Sequence, residues 1–164
     1  MPVPPSLPGL AALPFAERLM LWTMRAWVMG VHRGNPTTTQ IEAAFAKAGV
    51  QEAAEDLERF MVTFARGASR QIAVDCICKQ QVSADERRLL DILSCHQHGR
   101  ALDALALLRS MMHPRQAAAA SWEAGKLADR IKAVGYLLDP AEADRKAPVP
   151  SGADEWAKLP HTLH

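Results

Sequence analysis

The stretch from residue 83 to residue 114, SADERRLLDILSCHQHGRALDALALLRSMMHP, predicts two successive helices. Ser83 and Glu86 match a capping box, in which each side chain accepts a hydrogen bond from the backbone N–H of the other residue. Leucine and isoleucine then recur at helical spacing until Gly99, which is placed to end the first helix. A second apolar stripe follows and ends before Pro114. Its members are Leu102, Leu105, Leu108, Met111 and Met112.

The preceding part of the chain begins with an unusually apolar helix. Residues 15–31 are apolar on nearly all sides, and Glu17, Arg18 and Arg25 leave only a narrow polar stripe. Such a helix lies at the centre of a fold or forms an interface.

Three more helices complete the predicted bundle. Two short ones are expected between residues 36 and 66, with Gly49 and Gly67 at their ends, and a last one from about residue 115 to residue 138. Alanine is the most frequent residue in the chain, and it favours helix because it loses no side-chain entropy there. The sequence therefore predicts an all-α fold, a compact bundle of five or six helices with short loops that end at glycines.

One segment, residues 71–78, departs from the helical pattern. Ile72, Val74, Cys76 and Cys78 alternate with other residues, which is the period of an extended strand. A single strand cannot satisfy its own backbone groups, so we expect it to pair with another segment or to run as an extended linker over the helices.

Proline marks the limits of the folded part, because most of the prolines crowd the two ends of the chain. The sequence predicts a flexible Pro-rich tail over residues 1–14, a helical domain over residues 15–139 and a second flexible tail over residues 140–164.

Composition excludes several classes of function. The formal net charge is only +1, so the chain lacks the positive surplus that drives binding to nucleic acid or to anionic lipid. Three cysteines, an odd number, argue against a secreted disulfide framework. Neither a signal peptide nor a membrane span is recognisable. We therefore expect a cytoplasmic protein that binds neither nucleic acid nor a membrane.

Three thiols and an imidazole offer ligands for a metal. Cys76, Cys78, Cys95 and His98 are the residue types that zinc and iron–sulfur centres prefer. However, Cys95 lies roughly 16 Å from the start of its helix, so the linking loop would have to be nearly straight. The alternative is that the cysteines pack as small apolar side chains and that the histidine caps a helix end.

Two helical pairs resemble known motifs. Residues 37–64 approximate a helix-turn-helix spacing, but Glu52, Glu55, Asp56 and Glu58 would face the phosphate backbone with the wrong sign. Residues 89–114 are similar to one tetratricopeptide-type hairpin, with a glycine at the turn and a proline at the end. No second copy follows, so the resemblance implies an antiparallel helix pair and not peptide binding.

No catalytic motif is recognisable: a nucleophile elbow, a phosphate-binding glycine loop and a metalloprotease helix are all missing from the sequence. This favours a protein that acts by association, as an adaptor, a regulator or a self-associating protein, over an enzyme. The partner would be another protein or a second copy of the chain. We expect the contact surface on the first helix, where aromatic and methionine side chains suit an interface. Its predicted residues are Leu21, Met24, Trp27 and Val28.

Overall fold

The computed structural model describes residues 9–140, and within them it is all-α, as predicted. A 3₁₀ turn over Leu10–Ala12 precedes six helices. These are α1 (Phe15–Arg33), α2 (Thr38–Lys47), α3 (Ala53–Gly67), α4 (Ala84–Gln97), α5 (Ala101–Arg109) and α6 (Pro114–Ala133).

The helices form two groups that share α3 and α4. Helix α6 packs against α3, α4 and α5, whereas α1 packs against α2, α3 and α4. The inner face of α6 is lined by small side chains, among them Ala117, Ala120 and Ala124, all fully buried. Small side chains let the axes of neighbouring helices come close, so α6 can contact three helices at once.

Glycine ends several helices as the sequence predicts. Gly49 and Gly99 adopt positive φ angles of 77° and 72°, which a side chain would disfavour. The capping box is also confirmed, since Ser83 and Glu86 each accept from the other's backbone N–H at the start of α4. These local signals set the boundaries of the helices.

The narrow polar stripe of α1 is largely buried. Glu17 and Arg25 are each only 1% exposed, and Arg18 alone stays exposed. Both buried side chains find partners on α4. Arg25 forms a bidentate pair with Glu86 at 2.7 and 2.9 Å, and Arg87 donates to Glu17 at 2.9 and 3.2 Å. Because the charges are paired, the stripe can face inward.

The segment between α3 and α4 forms no strand within residues 9–140 and runs instead as a linker over the helices. We call residues 68–83 the linking segment. The backbone N–H groups of Ala73 and Asp75 donate to the carboxylates of Asp85 and Glu86, both at 2.9 Å. The extended backbone is therefore satisfied by side chains at the start of α4 and not by a second strand.

Other parts of the fold depart from the prediction in smaller ways. Part of the segment placed in the predicted N-terminal tail packs on the fold, because Leu13 is buried and the Leu10 N–H donates to the Gln80 carbonyl at 2.7 Å. Leu102, expected in the apolar stripe of α5, is 82% exposed, since α5 buries Ala104 and Leu108 instead. Residues 1–8 and 141–164, which include the rest of both predicted tails, lie outside the described residues.

Gly67 provides a test of how closely α3 approaches the start of α6. A Cβ at this position would lie 2.5 Å from the Cβ of Gln116 and 2.6 Å from the Cε of Met112. We expect Gly67→Ala to lower the free energy of unfolding by about 1–3 kcal/mol through overpacking. At Gly9 a Cβ would meet its nearest atom at 3.6 Å, so Gly9→Ala should change stability by less than about 0.5 kcal/mol in the same denaturant titration. Equal stability of the two variants would contradict this packing.

Asp85 should make the fold sensitive to acid. Its carboxylate accepts from Arg70, from the Ala73 N–H and from Arg88, and these donors, Arg70 foremost, hold the pKa of Asp85 far below its ordinary 3.8. A lowered pKa contributes stability that is complete above the pKa of the unfolded chain and is lost as the pH falls. The free energy of unfolding should therefore fall between about pH 5 and pH 2, and it should fall less steeply in Asp85→Asn. The free energy of unfolding is measured by denaturant titration at each pH. If it falls equally steeply with pH in the wild type and in Asp85→Asn, Asp85 is not the cause.

Candidate functional site

The four predicted metal ligands are not brought together. Cys76 and Cys78 are exposed on the linking segment, Cys95 is buried in α4, and His98 is exposed at the end of α4. Its imidazole Nδ1 lies 2.8 Å from the Ser94 carbonyl oxygen. Among residues 9–140, no group of three or more His, Cys, Asp and Glu side chains is placed to hold a metal ion. The predicted zinc or iron–sulfur site with these four ligands is therefore not formed in this structure.

Cys76 and Cys78 lie exposed at a turn of the linking segment. The Lys79 N–H donates to the Cys76 carbonyl at 3.1 Å, so a turn begins at Cys76 and has Ile77 and Cys78 at its centre. Ile72, Val74 and Ile77 pack against the core, and the two thiols point away from it. A hydrogen bond from Cys78 lowers the pKa of the Cys76 thiol and raises that of the Cys78 thiol.

The three thiols should differ in reactivity. Cys95 is 2% exposed, and burial raises the pKa of its thiol, whereas Cys76 and Cys78 are accessible. We expect an aromatic disulfide reagent to modify two thiols in the folded protein and the third only after denaturation. The double variant Cys76→Ser/Cys78→Ser should show no fast reaction. Equal rates for all three thiols under native conditions would contradict the burial of Cys95.

The predicted contact surface on α1 is only partly available. Leu21 and Met24 are 0% exposed, because they lie in the core between α1 and its neighbours, so these two side chains cannot form a contact surface of the folded chain. Val28 and Trp27 are half-buried, and the Trp27 indole Nε1 donates to Glu58 of α3. Half of the predicted set thus belongs to the interior of the monomer.

A different apolar surface is exposed where α5 meets α6. Leu102 is 82% exposed and Trp122 is 70% exposed, and they flank a groove of about 490 Å³. We call this surface the α5–α6 face. The groove is also lined by Leu105, Ala118 and Gly125, with His96 of α4 at its floor. Large apolar side chains that stay exposed beside a groove mark an interaction site.

His96, Ser121 and Asp129 line this groove together, and they are the residue types of a catalytic triad. The Ser121 hydroxyl lies 3.2 Å from the imidazole Nε2, and burial lowers the pKa of His96 and thus favours its neutral form. Two parts of a triad are lacking in the described chain. No hydrogen bond joins Asp129 to His96, and Ser121 lies in the middle of α6, where backbone N–H groups are used by the helix. His96 and Ser121 therefore form a polar floor of the groove.

The hydrophobic pattern of α6 in the sequence indicates that Trp122 lies outside the buried face of the helix. Ala120, Ala124 and Leu127 form the buried stripe of α6. Trp122 is two positions from Ala120, which places it on the opposite side of the helix. A tryptophan outside the buried stripe of an amphipathic helix is therefore the residue that sequence reasoning missed.

No protein-family model matches the chain, and neither a curated protein nor a solved structure is significantly similar to it. None of the helices within residues 9–140 is long and apolar enough to cross a bilayer. The functional argument therefore depends on the surfaces of the described chain.

Proposed function

We propose that the protein acts by association through the α5–α6 face, and that its partner there is a second copy of the same chain. The observation that carries this proposal is the 70% exposure of Trp122 beside a groove with apolar walls. Tryptophan is enriched among the residues that dominate binding energy at protein interfaces. An isolated chain gains nothing from leaving so large an apolar side chain in water.

The layout of the α5–α6 face supports a symmetric dimer. A projecting side chain, Trp122, and a groove of about 490 Å³ lie side by side on one surface. In a two-fold interface each copy uses the same patch, so the Trp122 side chain of each copy can enter the groove of the other copy. Leu102 and Leu105 then contact the indole ring, and Gly125 leaves space for it.

Two of the titratable groups that line the groove, Lys126 and His96, are compatible with its burial, whereas the exposed carboxylate of Asp129 has to stay at the rim of the interface in water. Lys126 and Glu123 form an ion pair at 2.7 Å within α6. The two charges neutralise each other, so burying them together removes no net charge from water. His96 is held towards its neutral form by burial. Paired and neutral groups at an interface cost less to desolvate than isolated charges.

The test is the mass of the full chain in solution as a function of concentration. Sedimentation equilibrium should show wild-type protein approaching twice the 17.9 kDa of one chain. Trp122→Glu should weaken the dimer at least about 30-fold, since the loss of a central tryptophan costs about 2 kcal/mol or more. Ala118→Glu, which places a charge on the wall of the groove, should have the same effect.

Leu137→Glu is the matched control, because Leu137 is also exposed, at 57%, but does not line the groove. This variant should dimerise like the wild type. Circular dichroism and unfolding midpoints of all variants establish that they fold. A wild-type chain that stays monomeric up to about 100 μM, or a Trp122→Glu variant that dimerises normally, would contradict the proposal.

A further inference from the structure

A second groove lies between α1 and α2 and shares no lining residue with the groove of the α5–α6 face. Its volume is about 600 Å³, which is within the range of small-molecule sites. Leu10 and Ile77, from the 3₁₀ turn and the linking segment, complete its lining. We call it the α1–α2 groove. Its apolar walls come from α1 and α2, through Phe15, Leu19, Trp22, Ala43 and Ala44.

The spacing of these residues explains why the groove is apolar along its length. On α1 the lining positions recur at intervals of three and four residues from Phe15 to Trp22, and on α2 the same spacing runs from Gln40 to Lys47. Each helix therefore turns one face towards the groove. The α1 face is separate from the buried face that holds Leu21 and Met24 in the core.

Positive charge is concentrated at one end of the groove. Arg18, near the start of α1, and Lys47, at the end of α2, both line it and both are exposed. Tyr136 places these two helix ends together, because its ring lies 5.4 Å from the Phe15 ring and its hydroxyl donates to the Ala48 carbonyl at 2.6 Å. The cations of Arg18 and Lys47 thus lie at the same end.

Neither cation is neutralised by the described part of the protein. Within residues 9–140, Arg18 and Lys47 form no ion pair, and no Asp or Glu is among the lining residues of the groove. Arg25, which also borders the groove, is already bound to Glu86 and to the carbonyls of Lys79 and Gln81. The two free cations are therefore the groups that can receive an anion.

We propose that the α1–α2 groove binds an anionic amphiphile with a single aliphatic chain, such as a free long-chain carboxylate. The carboxylate lies between Arg18 and Lys47, and the aliphatic chain extends along Leu19 and Trp22 towards Ile77. Apolar walls with a few convergent polar groups are typical of such sites, and a carboxylate complements the two cations. This site is separate from the α5–α6 face and does not depend on the proposed dimer.

The test uses the full chain and two probes that share an aliphatic tail but differ in charge. Calorimetric titration with dodecanoate, below its micelle concentration, should give saturable binding with one site per chain. Dodecyltrimethylammonium should bind at least about tenfold more weakly, since it loses two partly exposed ion pairs and meets two like charges. Dodecanoate should also change the tryptophan fluorescence of the wild type, and this change should be smaller in Trp22→Phe.

Two variants locate the site. Arg18→Gln/Lys47→Gln should abolish the preference for the anionic probe, whereas Arg66→Gln/Arg115→Gln, with the same change in charge, should leave it intact. Ala43→Phe fills the groove from an exposed position and should weaken dodecanoate binding about tenfold or more without lowering the unfolding midpoint.

Three results would overturn the proposal. The first is the absence of saturable dodecanoate binding. The second is equal affinity for the anionic and the cationic probe. The third is wild-type binding by the Ala43→Phe and Arg18→Gln/Lys47→Gln variants.

Discussion

The carboxylate of Glu86 is the group on which the rest of the structure depends. It is 0% exposed and accepts four hydrogen bonds, two from Arg25 and one each from the backbone N–H groups of Asp75 and Ser83. The Glu86 side chain thus caps α4, holds α1 against α4 and binds the backbone of the linking segment. A buried carboxylate is tolerated only when its charge and lone pairs are satisfied, so the three elements must assemble together.

This anchor explains where the two candidate surfaces lie. Since α1 turns its charged stripe and Leu21 towards the interior, other apolar residues of α1 are left to form the α1–α2 groove. In the other group of helices, the small residues of α6 bring α3, α4 and α5 close to its axis. The Trp122 side chain is too large for that close contact and remains exposed on the surface.

The sequence predicts what is local and misses what is distant. Helical periodicity, the capping box and Gly99 determine the helices, because their signals act within a few residues. The burial of Arg25 and Glu17 depends on partners 61 and 70 residues away, which no periodic pattern reveals. The same limit explains Leu21 and Met24, whose apolar character fits both a core and an interface. For Cys76 and Cys78, a turn that begins at Cys76 interrupts the alternating pattern of the segment.

Hydrogen exchange at the Ala73 and Asp75 amides tests the central claim, that carboxylates at the start of α4 hold the linking segment and α1 in place. The account predicts that both amides exchange slowly in the wild type, although they belong to no helix or strand. In Glu86→Gln the Asp75 amide should exchange faster, while the Leu127 amide in α6 stays protected. Wild-type amides at positions 73 and 75 that exchange as fast as in an unstructured peptide would contradict the account.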